Sequence, residues 1–228
     1  MNRLRILVSS GATREPIDQV RFITNFSTGR TGAELARSWA VGGHHVTYLA
    51  GEVAELPAID PTRGSIEVLR FSSFSDLNLK FEQLLSQHEW DWVVHLAAVG
   101  DYSVASIQKS SGEQLALESA KIDSSEDLTI QLKRNFKIVG KLRKYVGTRA
   151  QQPKIVAFKL TNRATSLEQE SAVAKLLKEP VDLVIHNDLA ALRSGYRLFS
   201  AFDHGGKVFE ARALDELAQK MLNWRGEG

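Results

Sequence analysis

Four short groups of residues have types and spacing suited to chemistry on a charged substrate. Ser27-Thr28-Gly29 are small, hydroxyl-bearing or flexible and stand just before a segment with helical spacing, in a connection headed by Gly11. A helix N-terminus offers free backbone N–H groups and the positive end of the dipole, so such a turn can cradle a phosphate; the same residues also serve as plain caps. Asn25, two residues earlier, is a loop amide that can donate hydrogen bonds without adding charge. Arg21 carries a forked guanidinium suited to a phosphate. Lys121 lies in a stretch rich in Ser, Glu and Gly. It reads either as a solvated surface lysine or as a loop cation that closes over a polyphosphate.

Other chemistries are excluded or disfavoured by the same inspection. There is no Gly-Lys-Ser/Thr loop and no Gly-x-Gly-x-x-Gly fingerprint. The residues four after Tyr48, Tyr102, Tyr145 and Tyr196 are Glu52, Ser106, Arg149 and Ser200, so no Tyr-x-x-x-Lys pair exists. An NAD(P)- or flavin-dependent oxidoreductase is therefore disfavoured, although the fold class would permit one. His44, His45, His88, His95, His186 and His204 show no metal-ligand spacing and are read as structural. The absence of cysteine removes disulfides, thiolate catalysis and zinc–thiolate sites.

The elements that must position these residues follow from periodicity. Short apolar, β-branched runs occur at Leu4–Ser10, His45–Ala50, Ile66–Phe71, Trp92–Ala98, Ile155–Leu160 and Leu183–His186. Helical spacing lies between most of them, at Thr31–Val41, Ser75–His88, Phe136–Tyr145 and Leu167–Leu177. Strands alternating with helices predict an α/β chain with a Rossmann-like, doubly wound, mostly parallel sheet. The runs are apolar on both faces, as strands covered from both sides should be. Near the C-terminus, Tyr196–Phe202 and Lys207–Phe209 flank Asp203-His204-Gly205-Gly206 and predict a β-hairpin, followed by a helix over Ala213–Trp224. The connections Gly11–Gly29 and Val99–Asp127 are much longer than the roughly 2–6 residues usual for βα loops, which marks them as functional. Both leave C-terminal strand ends, where open α/β sheets bind ligands.

The sequence resembles the phosphopantothenoylcysteine synthetase family over about residues 3 to 190. Gly11-Ala12-Thr13-Arg14-Glu15-Pro16-Ile17-Asp18, then Val20-Arg21-Phe22-Ile23-Thr24-Asn25 and Ser27-Thr28-Gly29, are similar to its opening signature. His95-Leu96-Ala97-Ala98-Val99-Gly100-Asp101-Tyr102, Lys121-Ile122-Asp123-Ser124-Ser125, Ala157-Phe158-Lys159-Leu160 and Asn187-Asp188 match later motifs in order. Departures occur at Ala12 and Gly100, at Asn135-Phe136-Lys137-Ile138, and at Phe158-Lys159-Leu160, which looks more like the shorter, eukaryote-like branch.

The resemblance implies a ligase of coenzyme A biosynthesis that joins 4′-phosphopantothenate and cysteine through an acyl nucleotide. It implies CTP as cosubstrate, with ATP the alternative, Mg²⁺ carried by the triphosphate, no flavin or NAD and no confidently assigned protein metal ligand. Asn25 and Lys121 would be catalytic, with Lys121 on a mobile loop of about residues 103–126. Gly11, Ser27, Thr28, Gly29, Ala97, Ala98, Asp101, Asn135, Phe158, Lys175 and Lys178 would bind the nucleotide. Arg21, Asn25 and Tyr102 would bind the acyl substrate, with Arg21 on its phosphate. A homodimer is implied, with the Val99–Tyr102 turn and the C-terminal hairpin as candidate contacts, and a separate polypeptide is expected to supply the partner decarboxylase. An inactive nucleotide-binding module is the competing reading, against which the presence of both Asn25 and Lys121 argues.

Composition agrees with this picture. The 228 residues are 43% hydrophobic and 25% charged, which predicts a single folded domain over 1–228 with a real core. A net charge of +2 gives no global pull toward nucleic acid. The N-terminal apolar stretch is too short for a signal peptide, and no run approaches the ~18 apolar residues of a membrane helix. A cytoplasmic protein away from membranes is the expectation.

Overall fold

The computed structural model describes residues 3–59, 64–117 and 121–226. The elements in chain order are β1 (Arg5–Ser10), β2 (Arg14–Pro16), β3 (Phe22–Thr24), α1 (Arg30–Val41), β4 (His45–Gly51), β5 (Ile66–Phe71) and α2 (Phe74–Gln87). Next come β6 (Trp92–His95), β7 (Tyr102–Lys109), β8 (Gln114–Leu115), β9 (Leu128–Arg134), a 3₁₀ turn (Ile138–Lys141) and α3 (Leu142–Val146). The chain continues with β10 (Lys154–Thr161), α4 (Ser166–Leu177), β11 (Leu183–Asp188), α5 (Leu189–Arg193), β12 (Phe199–Asp203), β13 (Gly206–Ala211) and α6 (Leu214–Asn223).

The central eight-stranded sheet has the order β13-β12-β11-β10-β6-β1-β4-β5. From β5 to β11 every pairing is parallel; β12 and β13 then add an antiparallel hairpin. This is a Rossmann-like sheet, and its strand order reverses between β1 and β6. Side-chain alternation explains why both faces are covered. Ile6, Val8, Trp92, Val94, Val156 and Ile185 enter one core with Leu35, Trp39, Leu217 and Met221 of α1 and α6. Leu7, Val93, Ile155 and Val184 enter the other, with Leu77 and Phe81 of α2, Leu142 of α3 and Val173 of α4. Period-two strands with apolar residues at both phases can be stabilised only by helices on both sides.

Several boundaries differ from the sequence reading. The run Trp92–Ala98 leaves the regular sheet after His95; Ala98 keeps only an isolated parallel bridge to Ala12. The segment Phe136–Tyr145 enters a 3₁₀ turn at Ile138 before α3. The C-terminal hairpin begins at Phe199 rather than Tyr196. The long connections are themselves folded: β2 and β3 pair antiparallel, and β8-β7-β9 form a three-stranded antiparallel sheet. Within the stretch 103–126, expected as a loop, residues 103–109 and 114–115 are strand, while 118–120 lie outside the described residues. Its cause is a third small core, in which Val104, Ile107 and Ile122 pack with Ile17, Ile23, Leu115, Leu128 and Ile130. The alternation of Leu128, Ile130 and Leu132 in Leu128–Arg134 was a readable strand signal for part of it.

Candidate functional site

The C-terminal ends of β1 and β6 open the crevice at which an α/β sheet binds ligands. Gly11 follows β1 in a left-handed conformation, at φ +89°. A Cβ there would meet the Ala54 Cβ at 2.6 Å. Gly29, at φ +78°, is the residue capping α1, and a Cβ on it would lie 2.8 Å from the same Ala54 methyl. Three chain segments thus approach at backbone distance, which only glycine permits. No side chain caps the first turn of α1, although Thr28 Oγ1 accepts weakly from Arg30 N–H at 3.3 Å. Ser10 Oγ donates to Gly29 O at 2.9 Å. The buried Tyr48 hydroxyl lies 3.2 Å from the same carbonyl and 3.0 Å from Glu55 O. Burial pushes its pKa up to about 12, so it remains a neutral donor. The loop carrying Ser27, Thr28 and Gly29 is therefore held in place while Thr28 stays exposed.

The second connection closes onto the first. Ala98 N–H donates to Gly11 O at 2.7 Å and Thr13 N–H donates to Ala98 O at 3.2 Å. Gly100 N–H donates to the fully buried Thr13 Oγ1 at 2.9 Å. Asn25 Nδ2 donates to Val99 O at 2.9 Å. This bond ties the Asn25 side chain to the turn that follows Ala97 and Ala98, and leaves its second N–H available to a ligand. These bonds tie Gly11 to Ala98 and Asn25 to Val99, and Gly29 packs close to the Gly11 backbone.

Other expected residues have the following surroundings. Asn135 is a brace: Nδ2 donates to Gly100 O at 3.0 Å and its backbone N–H donates to Asp101 O at 2.8 Å. The Ser103 hydroxyl lies between Asn135 Oδ1 and the buried carboxylate of Glu15, at 3.0 and 2.7 Å. The other oxygen of Glu15 accepts from Phe74 N–H at 2.8 Å and so ties the rim to the start of α2. Asp101 is exposed and ion-paired with Lys137. Tyr102 is exposed at the start of β7. Phe158 is half-buried on β10 and packs against the core shared with α1 and α6. Lys175 lines an open groove with Lys159 along α4. Lys178 caps the end of that helix, which has crossed back to the opposite edge of the sheet. Topology therefore separates Lys178 from the Ser27–Gly29 loop.

Arg21 is engaged as well. Its Nε and Nη2 donate to Asp18 Oδ2 at 3.0 and 2.6 Å, and Nη2 also donates to Ile122 O at 2.9 Å. Lys121 is exposed immediately before Ile122. Sequence reasoning assigned no role to Thr13, Glu15, Asp18 or Ser103; the first three lie in the opening motif, but each has a partner distant in sequence.

A model of the DNA/pantothenate metabolism flavoprotein C-terminal domain matches residues 1–224. The chain belongs to this family. The bifunctional coenzyme A biosynthesis protein CoaBC of Escherichia coli strain K12 is 26% identical over 98% of the chain and 52% of its own length. The Mycobacterium bovis CoaBC is 34% identical over 92% of the chain and 50% of its own length. The chain thus spans about half the length of these curated relatives. A DNA/pantothenate metabolism flavoprotein from Streptococcus pneumoniae superposes with a TM-score of 0.80 at 24% identity, covering 96% of this chain and 97% of that one. A Cab2 H337A mutant in complex with phosphopantothenate-cysteine gives 0.72 at 19% identity, covering 96% and 85%. Both likenesses support the fold of this family member. Among the described residues no helix is long and apolar enough to cross a membrane.

Proposed function

We propose that the chain joins 4′-phosphopantothenate to cysteine through an acyl-nucleotide intermediate, with CTP as cosubstrate. The observation that carries this reading is the convergence of Asn25, the Ser27–Gly29 turn and Ala97–Ala98 at the switch crevice, in a member of a pantothenate-metabolism family. A substrate carboxylate oxygen attacks the nucleotide α-phosphorus, and the bond to pyrophosphate breaks. The cysteine amine then attacks the acyl carbon, loses a proton, and the nucleoside monophosphate leaves. The protein supplies positioning and charge neutralisation.

Backbone N–H groups after Gly29 face the polyphosphate, and Lys121 neutralises charge while the first bond forms. Asn25 donates its free N–H to the acyl oxygen for the second step. Ala97 and Ala98 let the backbone approach the nucleotide, Phe158 lines the base side, and Asp101 is placed to exchange Lys137 for a nucleotide contact. Among the described residues no group of three His, Asp or Glu side chains gathers to hold a metal. Mg²⁺ would enter as the triphosphate complex, where it would screen phosphate charge. The product would pass to a decarboxylase.

The test is pyrophosphate release with phosphopantothenate, cysteine, Mg²⁺ and each of CTP, ATP, GTP and UTP. Release that requires phosphopantothenate and is fastest with CTP is expected. Equal or faster turnover with ATP overturns the nucleotide assignment, and no release with any nucleotide overturns the ligase.

A further inference from the structure

Asp18 has no exposed side-chain surface, although it lies in a loop on the rim of the crevice. Its Oδ1 accepts from Val20 N–H at 2.9 Å and Arg21 N–H at 2.7 Å, closing a local turn. Its Oδ2 accepts from the Arg21 guanidinium and, at 3.1 Å, from the backbone N–H of Ile122, 104 residues away in sequence. Arg21 in turn donates to the carbonyl of Ile122. The ion pair therefore grips both polar backbone atoms of one residue, donor to carboxylate and acceptor to guanidinium. The Ile122 side chain, 5% exposed, is simultaneously buried in the small core under β7 and β9. Three independent holds thus converge on the residue directly after Lys121, whose Cα lies only ~3.8 Å further along the chain.

We propose that Asp18, acting with Arg21, is a positioning residue that docks Ile122 and so sets Lys121 at the rim of the crevice. This rests on the role given to Lys121 above. It also assigns Arg21 to the enzyme's own loop rather than to a substrate phosphate. The guanidinium and the converging N–H groups hold the Asp18 carboxyl well below the usual carboxylate range, so the grip is ionised throughout neutral pH. An amide at position 18 has nearly the same shape but one acceptor oxygen. It can serve the Val20–Arg21 turn or Ile122, not both.

The experiment uses the whole chain with Asp18→Asn, Arg21→Lys, Lys121→Gln and the double variant Asp18→Asn/Lys121→Gln. Trypsin cleavage of the Lys121–Ile122 bond is followed by mass spectrometry, with cleavage after the exposed Arg163 as internal reference. Docking should shield the first bond, so Asp18→Asn is expected to speed its cleavage on the order of tenfold while Arg163 is unaffected. Pyrophosphate release should fall about a hundredfold in kcat, as for a misplaced group, with the KM for cysteine unchanged. The double variant should be no slower than Lys121→Gln, because a group that acts through Lys121 has nothing to add once it is gone. Unchanged cleavage after Lys121, or multiplicative losses in the double variant, would overturn the proposal. If Asp18→Asn does not fold, Arg21→Lys decides by the same readouts, since it keeps the charge and loses the fork. A wild-type chain without ligase activity would sink the functional reading while leaving the cleavage result to judge the docking alone.

Discussion

Asn25 and Lys121 sit on different connections and should fail differently. Lys121→Gln removes charge neutralisation during the first bond and should release little pyrophosphate even without cysteine. Asn25→Asp replaces the N–H proposed to meet the acyl oxygen with an acceptor, and loss of one such donor typically costs on the order of 10²–10³ in rate. That variant should accumulate the acyl nucleotide, to be seen as the mixed anhydride by mass after a single-turnover quench. If Lys121→Gln accumulates it instead, the roles are reversed. His95 allows a stability prediction at the same scale. It is buried against Phe81, with Ser9 Oγ 2.7 Å from Nδ1, and burial pushes its pKa down to about 4. The unfolded chain, with a histidine pKa of ~6.5, then binds the proton more readily than the folded one. Stability should be full above that value and be lost as pH falls toward 4. Urea midpoints across this window should show the loss, and His95→Gln should flatten it; an equally steep fall in the variant would refute the assignment.

At the scale of elements, the turn before α1 depends on backbone packing more than on its hydroxyls. Gly29→Ala would force an L-residue into the left-handed region, at about 1–2 kcal/mol. It would also drive a methyl to 2.8 Å from the Ala54 Cβ. Overpacking of this kind adds about 1–3 kcal/mol. Urea denaturation should show the sum for Gly29→Ala. Adding Ala54→Gly should return the packing part and leave the backbone part; no recovery at all would mean that contact with Ala54 is not what excludes a side chain. The β7–β9 sheet shows a related dependence. Its small core includes Ile17 and Ile23 from the first connection, so the two long connections are stable only together.

For the whole molecule we expect a symmetric homodimer, the commonest closed assembly. Phe26 is 84% exposed, Val20 60% and Tyr102 52%, all on the connections that build the crevice. We propose that these exposed apolar side chains are covered on association. Light scattering at micromolar concentration should give twice the chain mass, and Phe26→Ser should shift the equilibrium toward monomer. A fully active wild-type monomer would refute the dimer.

Periodicity in the sequence was sufficient for the parallel strands and for most helices. These features depend on local backbone geometry and on which residues avoid water, both of which repeat along the chain. The motif residues Gly11, Asn25 and Ala97–Ala98 were singled out by the family resemblance rather than by periodicity, and they lie at strand ends or in the loops that follow. Tertiary structure alone decided what Glu15 and Asn135 hold and where the local Asp18–Arg21 pair docks, because those partners are remote in sequence. Asp18 finds Ile122 and Glu15 finds Phe74 and Ser103 only after the sheet has brought the connections together. A buried carboxylate must satisfy its acceptors with whatever donors the closed fold presents, and the identity of those donors is a property of loop closure rather than of any local pattern.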